Sequence, residues 1–442
     1  MQLQLPFFRK RTKLIIVKML FFLIPVILCS CASTRAPRNG VVQVPVDFFG
    51  IVHSGYTKTA QEYQLMNDMG VAWTMGTFSW NTIENTKGRF DFSSYDNFVD
   101  STKQAGKKIV ATLGYQADWL YPSGESIRKI KPDDIPHFLR YIEEIVNHYK
   151  GRMDVWNVWN EPNFGRFWYG TDKEFFELSR RTAQKIRETD PDAYIIGGAF
   201  VRAPKRYIKR MNKAGGLENL DGLAYHPYAL NPAGSLRIHD RMVRICSLVN
   251  YTGDLWITEI GHPTGGRYPH KTTLEKLPSY VVKDLCGTAA RGARAVLWYQ
   301  LFDRYNKDEV HPKTKMESEK YFGLVYPDYE RKAAANAYEL CARNIAGSRY
   351  TPDYLKREKA PSSIVSFCFL NGNNENNTLV LWNKRKRHKK VNLSLDAPAM
   401  CYDITTAKGT PLTAANVLEI GRQPVIITWQ GAALPLLGKK GK

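Results

Sequence analysis

One pattern recurs eight times between residues 46 and 345: a short apolar, β-branched run, then a segment with apolar residues at three- and four-residue spacing. Such runs are typical of buried strands, and such segments are typical of amphipathic helices. Eight βα units in succession predict a parallel sheet closed into a (β/α)8 barrel, the TIM barrel. The strand candidates are Phe48–His53, Val71–Gly76, Lys108–Leu113, Asp154–Asn160, Tyr194–Ala199, Gly222–His226, Leu255–Glu259 and Ala295–Tyr299.

The sequence changes character after a last barrel helix, predicted over Arg331–Ile345. Short β-rich runs follow, separated by Asn, Gly and Lys turns. They predict a small β-sandwich that packs on the barrel as an accessory domain without a site of its own. We therefore expect an α/β protein with a catalytic barrel at 46–345 and a β-sandwich at 346–442.

The first 30 residues have the layout of a secretion signal, a basic stretch followed by an apolar run from Met19 to Leu28. The sequence Leu-Cys-Ser-Cys at 28–31 resembles a bacterial lipobox, in which the last cysteine is acylated and becomes the new N-terminus. Cys31 is thus predicted to anchor the protein to a bacterial membrane, on the periplasmic face or the cell surface, with a linker at 31–45. The alternative is an ordinary cleaved signal peptide, and both alternatives predict export.

The net charge of +21 does not by itself indicate a nucleic-acid partner. Much of the excess lies in the first 30 residues and in residues 346–442, so the barrel itself is only mildly basic. An exported protein also rarely meets nucleic acid, and we expect no such partner. The five cysteines beyond Cys31 are scattered and show no CxxC spacing, so free thiols are expected rather than a zinc site or a disulfide framework.

The basic run KRKRHKK at 384–390 lies between two strand candidates. We interpret it as a solvated hairpin tip, because lysine-rich tips protect strand edges from pairing with other chains. The alternative is a surface that contacts anionic lipid or glycan.

Two glutamates end strand candidates on different parts of the chain. Glu161 follows the fourth strand in DVWNVWNEPN at 154–163, and Glu259 ends the seventh in LWITEIGHP at 255–263. The C-terminal ends of TIM-barrel strands converge on the catalytic face, so both side chains are expected to point into one cleft. Two carboxyls about 5–5.5 Å apart are what cleavage of a glycosidic bond with retention of configuration requires.

The two carboxyls have different predicted roles. Glu259 is expected to be the nucleophile, and its charge is expected to keep a proton on Glu161, the acid/base. Once Glu259 is esterified its charge disappears, and Glu161 can then act as a base toward water. The alternative, two structural carboxylates paired to arginines, is disfavoured by the position of both glutamates at matching strand ends.

The Asn-Glu-Pro after the fourth strand and the Thr-Glu ending the seventh resemble clan A glycoside hydrolases over residues 46–345. Within the clan, VWNEPNFGRFW at 158–168 and EFFELSRRTAQKIRETDP at 174–191 are similar to glycoside hydrolase family 39. That family includes β-xylosidases, α-L-iduronidases and exopolysaccharide endoglycosidases. ITEIGHP also resembles other clan A families, so the clan is better defined than the family.

The resemblance implies roles for four further residues. Asn160 would bind the sugar 2-hydroxyl, and His226 and Tyr228, in AYHPY at 224–228, would orient the nucleophile. Trp298 would form the floor of the sugar subsite by stacking on the ring. The alternatives are a packing role for His226 and a place in the barrel core for Trp298.

Other aromatic and imidazole side chains follow the first three strands, where sugar subsites would form, and simple packing is the alternative for each. They are His53, Trp80, Tyr115 and Trp119. The charged connection after the eighth strand, residues 302–321, exceeds normal loop length and is expected to wall part of the cleft.

The sequence thus predicts a retaining hydrolase of β-linked polysaccharide or oligosaccharide that requires no metal or organic cofactor. Endo action is slightly favoured, because no residues can be assigned that would close a pocket around one terminal sugar. Three alternatives remain: an exo-acting β-xylosidase-type enzyme, a non-catalytic glycan-binding lipoprotein, and a membrane-associated scaffold that works through 384–390.

Overall fold

The computed structural model of the protein describes residues 40–53, 58–121, 128–266, 271–305, 315–358, 360–373 and 375–439. The predicted signal peptide and Cys31 lie outside these ranges. In the described ranges, each helix is too short or too polar to cross a membrane.

Eight parallel strands close into a barrel, as the sequence predicts. A two-residue strand, β1 (Val42–Gln43), precedes them. The barrel strands are β2 (Phe49–Val52), β3 (Trp73–Ser79), β4 (Lys108–Gly114), β5 (Val155–Val158), β6 (Ile195–Val201), β7 (Gly222–His226), β8 (Asp254–Ile260) and β9 (Ala295–Tyr299).

Helices cover the outside of the barrel, and the last barrel helix, predicted over Arg331–Ile345, is confirmed to within two residues. The helix over Asp172–Thr189 begins at a capping box, in which the Thr171 hydroxyl accepts a hydrogen bond from the Glu174 amide and the Glu174 carboxylate accepts one from the Thr171 amide. The helices are α1 (Ala60–Asp68), α2 (Trp80–Ile83), α3 (Ser93–Gln104), α4 (Ile135–His148), α5 (Asp172–Thr189), α6 (Lys205–Lys213), α7 (Pro232–Leu248), α8 (Leu277–Ala289) and α9 (Ala333–Ile345).

The side chains of each barrel strand alternate between two cores. Those that point inward fill the barrel with a separate apolar cluster that includes Trp73, Trp256 and Leu297. Those that point outward pack against the helices in the main core, as Val296 does. This two-residue alternation decides which side chains reach the catalytic face from inside the barrel.

The rest of the chain forms two sheets, consistent with the predicted β-sandwich. Seven strands form one sheet in the order β1-β10-β12-β13-β18-β15-β16, so β1 from the predicted linker belongs to this sheet, and four strands form the other in the order β11-β19-β14-β17. The strands are β10 (Arg349–Tyr350), β11 (Lys356–Glu358), β12 (Ile364–Leu370), β13 (Asn377–Asn383), β14 (Lys389–Ser394), β15 (Ala399–Asp403), β16 (Gly409–Leu412), β17 (Ala415–Ile420), β18 (Val425–Trp429) and β19 (Leu436–Lys439).

The prediction of a hairpin tip at 384–390 is wrong. β13 pairs with β12 and β18 in the larger sheet, whereas β14 pairs with β17 and β19 in the smaller one. The basic run is therefore an exposed crossover between two sheets, and it continues into β14. The five cysteines in the described residues are free thiols, and four of them are buried.

Candidate active site

Glu161 and Glu259 lie together at the C-terminal face of the barrel. Glu161 follows β5 in a left-handed backbone conformation, with φ of +47°, and its amide donates a hydrogen bond to the Ala199 carbonyl at 3.2 Å. Glu259 is part of β8. Left-handed backbone is unfavourable for residues other than glycine and persists where the surrounding structure fixes it, which is frequent at functional sites.

His226, at the end of β7, lies between the two carboxylates. Its Nδ1 is 2.6 Å from Glu161 Oε1 and 3.6 Å from Glu259 Oε2. Its Nε2 is 3.1 Å from the hydroxyl of Thr258, the residue before Glu259. Because Nδ1 faces carboxylate oxygens, it carries a proton and donates a hydrogen bond to Glu161.

Tyr228 completes the group by donating a hydrogen bond from its hydroxyl to Glu259 Oε2 at 2.9 Å. Its ring packs edge-to-face on Phe322, with 5.9 Å between ring centres. Burial and the charge of Glu259 raise the pKa of Tyr228 well above its ordinary value, so the hydroxyl remains a donor. The sequence-predicted pair His226 and Tyr228 thus contacts the predicted acid/base and nucleophile directly.

The electrostatics of the group are dominated by burial and by the proximity of like charges. Burial, together with the charge of Glu161, raises the pKa of Glu259, although the charge of His226 and the Tyr228 hydroxyl act in the opposite direction. Burial lowers the pKa of His226, but the charge of Glu259 and the hydrogen bond to Glu161 outweigh it and raise that pKa overall. The proximity of the two carboxyls therefore favours one proton retained by the pair, and the assignment of that proton to Glu161 stays a prediction.

Tyr115 and Asn160 border the same site. The Asn160 side chain hydrogen-bonds the Tyr115 hydroxyl, and the charges of Glu259 and Glu161 both act on that hydroxyl. Burial raises the pKa of Tyr115 to about 12, so it stays protonated at physiological pH. The Tyr115 ring packs edge-to-face on Trp159, at 5.0 Å between ring centres.

Trp298 does not line the cleft, and this prediction is wrong. Trp298 is fully buried on the outward face of β9, where its ring lies 6.2 Å from that of His262. Its neighbour Tyr299 faces into the barrel, and the charge of Glu259 acts on the Tyr299 hydroxyl. Because Leu297 faces inward, the two-residue alternation of β9 places Tyr299, rather than Trp298, inside the barrel.

Trp80 is also a packing residue rather than a subsite residue. It is fully buried, stacks on Tyr141 at 5.8 Å and donates its indole N–H to Glu84 Oε2 at 2.6 Å. Trp119 is only partly buried, and its ring packs edge-to-face on Trp80 at 5.8 Å. The structure therefore places both tryptophans in one aromatic cluster.

His53 lies at the end of β2 beside a cavity of about 290 Å³. Its Nε2 is 3.2 Å from Glu62 Oε1. Phe302, Asp303 and Arg304 also line this cavity, and they belong to the connection that the sequence predicts to wall the cleft. Gln300, Pro327 and Tyr329 line it too, and the sequence did not indicate them. Of that connection, predicted to wall the cleft, residues 306–314 lie outside the described residues.

Glu161, His226 and Glu259 also have the donor types that bind metal ions, and within the described chain they are the group whose ligand atoms all lie within 4.8 Å of one another. In the structure these donors already bond to one another or to Tyr228 and Thr258. The arrangement can hold and transfer protons between two carboxyls without a further partner.

The chain resembles known glycoside hydrolases in sequence over limited segments. Residues 53–121 match the glycoside hydrolase family 42 model, described as β-galactosidase. A β-xylosidase from Caldicellulosiruptor saccharolyticus is 28% identical over 123 residues, which are 25% of each chain. Endo-1,4-β-xylanase B from Neocallimastix patriciarum is 25% identical over 186 residues, 38% of this chain and 21% of the xylanase. The chain therefore aligns with about a quarter of the length of these relatives.

Solved structures match over most of the chain. A family 39 glycoside hydrolase from Bacteroides cellulosilyticus superposes with a TM-score of 0.72 at 19% identity, covering 88% of this chain and 81% of that one. A family 39 β-xylosidase from Caulobacter crescentus superposes with a TM-score of 0.61 at 16% identity, covering 88% and 98%. At these identities the likeness establishes a shared fold.

Proposed function

From the clan A glycoside hydrolase fold of this chain, we propose that the protein is an O-glycosyl hydrolase that cleaves β-linked saccharides with retention. The observation that carries the proposal is the pair of glutamates at the ends of the fourth and seventh barrel strands, which present oxygens within 4.8 Å of each other. Retaining glycosidases need two carboxyls about 5–5.5 Å apart, whereas inverting ones need roughly 6.5–9.5 Å to accommodate a water molecule.

In the first step, Glu259 attacks the anomeric carbon while Glu161 gives its proton to the departing glycosidic oxygen. A glycosyl ester on Glu259 forms and the aglycone leaves. The Tyr228 hydroxyl holds one oxygen of Glu259, which orients the other toward the sugar. His226 donates to Glu161 and is itself held by Thr258, so both carboxyls are fixed before substrate arrives.

In the second step, Glu161, now ionised, takes a proton from water as the water attacks the anomeric carbon, and the ester to Glu259 breaks. The negative charge of Glu259 is absent in the ester, and this removes the repulsion that favours a proton on one of the two carboxyls. His226 remains as a hydrogen-bond donor to the Glu161 carboxylate in this state. Asn160 and Tyr115, beside the pair, are proposed to bind sugar hydroxyls.

The relatives named above, β-xylosidases and a xylanase, favour xylan-related saccharides as the substrate class. We further propose that the protein is exported and anchored through Cys31, so that it meets polysaccharide or oligosaccharide outside the cytoplasm. Cys31→Ala should release it into the soluble fraction after cell lysis. An unchanged membrane fraction would contradict the anchor without touching the catalytic proposal.

The test is to assay the chain without its first 31 residues on xylan, mannan, β-glucan and bacterial exopolysaccharides, with Glu259→Gln as control. Proton NMR of the first product should show the anomeric configuration of the substrate, and the control should release nothing. Release of the inverted anomer would refute the retaining mechanism. Tight glycan binding without any product, equal in wild type and control, would indicate a non-catalytic receptor instead.

A further inference from the structure

An ion pair joins loops from opposite sides of the barrel mouth. Arg166 lies in the loop after β5, and Glu319 lies in the short 3-10 segment Lys315–Lys320 that follows β9. Arg166 Nη1 is 3.4 Å from Glu319 Oε1. β5 and β9 are the fourth and eighth strands of a closed barrel of eight, so these loops face each other across the mouth.

The backbone on both sides of the pair is held by side-chain hydrogen bonds. The Arg166 carbonyl accepts a hydrogen bond from Arg128 Nη1 at 2.8 Å. The carbonyl of the next residue, Phe167, accepts one from the Trp159 indole at 2.9 Å. On the other side the Glu319 carbonyl accepts a hydrogen bond from Nε2 of the buried Gln300 at 3.2 Å. The backbone that carries the two charged side chains is therefore held in place on both sides of the mouth.

The pair lies close to the nucleophile. The charge of Glu319 acts on the Glu259 carboxylate, and the charges of both Glu319 and Arg166 act on the hydroxyl of the inward-facing Tyr299. The sugar attacked by Glu259 is the glycone, the part of the substrate on the non-reducing side of the scissile bond. The bridge therefore crosses the mouth within range of the charge of the nucleophile.

We propose that the Arg166–Glu319 pair closes the glycone side of the cleft, so that Glu161 and Glu259 act on the terminal sugar at the non-reducing end of a chain. A polysaccharide bound by its interior would have to pass between the loops after β5 and after β9, where the pair stands. This inference rests on the proposed function and assigns its mode of action. It differs from the slight preference for endo action that the sequence gives.

The ion pair can also be removed by mutation without a large loss of stability. Arg166 and Glu319 side chains are 46% and 47% exposed, and ion pairs at such exposure contribute little to stability. Its loss should open the cleft without unfolding the barrel. Arg152→Ala is a matched control, because Arg152, in the turn between α4 and β5, forms a comparably exposed 3.0 Å pair with Asp100 of α3.

The experiment uses the full chain and xylohexaose labelled at its reducing end. At initial rate, before the first products are cleaved again, wild type and Arg152→Ala should release xylose and labelled pentamer, whereas Arg166→Ala and Glu319→Gln should also release labelled dimer and trimer, raising their share at least tenfold. The exchanged pair, Arg166→Glu with Glu319→Arg, should restore the wild-type pattern. Glu319→Gln should in addition move the acid limb of the pH profile downward, because it removes a negative charge that raises the pKa of Glu259.

A second measurement does not depend on turnover. In a Glu259→Gln background, protein with the intact pair should bind xylohexaose but not xylohexaose blocked at its non-reducing end, and addition of Arg166→Ala should permit both. Labelled dimer and trimer among the first products of wild type, or first products unchanged in the Arg166 and Glu319 variants, would overturn the role of the ion pair while leaving the hydrolase in place. A wild-type protein that neither cleaves nor binds xylohexaose would overturn the proposed xylan-related substrate, and the bridge proposal with it.

Discussion

Glu161 and Glu259 are distinguished by what each contacts. Glu161 accepts a hydrogen bond from the His226 N–H, whereas Glu259 accepts one from the Tyr228 hydroxyl. A nucleophile has to be ionised and fixed, and an acid/base has to exchange a proton in both steps. The different partners therefore match the roles of acid/base for Glu161 and nucleophile for Glu259. Substrates whose leaving groups differ in acidity can distinguish the two roles.

Glu161→Ala and Glu259→Ala should respond differently to leaving-group acidity. Against xylobiose, Glu161→Ala should lower kcat/KM by about 10²–10⁴-fold, because the departing alkoxide needs its proton. Against a 2,4-dinitrophenyl xyloside the loss in kcat/KM should be far smaller, since that leaving group departs as a stable anion. Glu259→Ala should abolish turnover of both. Equal losses on the two substrates for Glu161→Ala would contradict its role as acid.

Tyr228→Phe tests the hydrogen bond to the nucleophile. Activity requires ionised Glu259, so it is lost as the pH falls through the raised pKa of that carboxyl. The Tyr228 hydroxyl lowers this pKa, so its removal should move the acid limb of the kcat/KM profile to higher pH. Hydrogen bonds to charged groups contribute about 1.5–3 kcal/mol, which corresponds to a loss of roughly 10–150-fold below the new limb. An acid limb that stays in place would show that the hydroxyl does not act on Glu259.

At the level of elements, the register of β9 decides which aromatic side chain serves the site. Trp298 belongs to the outer core with the helices, whereas Tyr299 belongs to the barrel interior. Neighbouring residues of a strand point to opposite faces, so an assignment that is wrong by one residue exchanges a core residue for a site residue.

Substitution of the two aromatics should therefore separate stability from activity. Trp298→Ala should lower the free energy of unfolding by about 3–5 kcal/mol, as truncation of a buried tryptophan does. Tyr299→Ala should cost less stability but reduce kcat/KM by at least tenfold, because its hydroxyl faces into the barrel within range of the charge of the nucleophile. Urea denaturation and steady-state kinetics on both variants provide the comparison. The reverse pattern would restore Trp298 as the subsite floor.

The sequence was informative where a local pattern determines the structure. Each barrel strand is a short apolar run, and the C-terminal ends of such strands must share one face, so the sequence alone predicts that Glu161 and Glu259 are paired. The inward or outward direction of Trp298 depended on a register that continuous apolar runs do not define. The Arg166–Glu319 bridge could not be predicted, because it joins residues 153 positions apart that no spacing rule relates.

For the molecule as a whole, the C-terminal sheets are part of the same folding unit as the barrel. Along β13, Val380 and Trp382 belong to the main core that contains the barrel helices, and Leu379 and Leu381 belong to the core between the two sheets. The N-terminal β1 pairs with β10, so the chain enters the barrel from the C-terminal sheet. Asn336 of α9 also donates a hydrogen bond to the Thr405 carbonyl at 2.7 Å.

The barrel should therefore not fold without residues 346–442. Truncation after Ile345 would expose the apolar partners of Phe369, Val380 and Ile426, and each such side chain contributes about 1.5–3 kcal/mol when buried. Several such losses approach the roughly 5–15 kcal/mol by which a typical protein is stable. The truncated chain should be insoluble. In the full chain, Val380→Asp should strongly lower the urea concentration at the midpoint of unfolding. The control Val417→Asp, at a position that is 54% exposed, should leave that midpoint unchanged. A soluble, cooperatively folded barrel would show instead that the sandwich is an independent accessory domain, as the sequence pattern predicts.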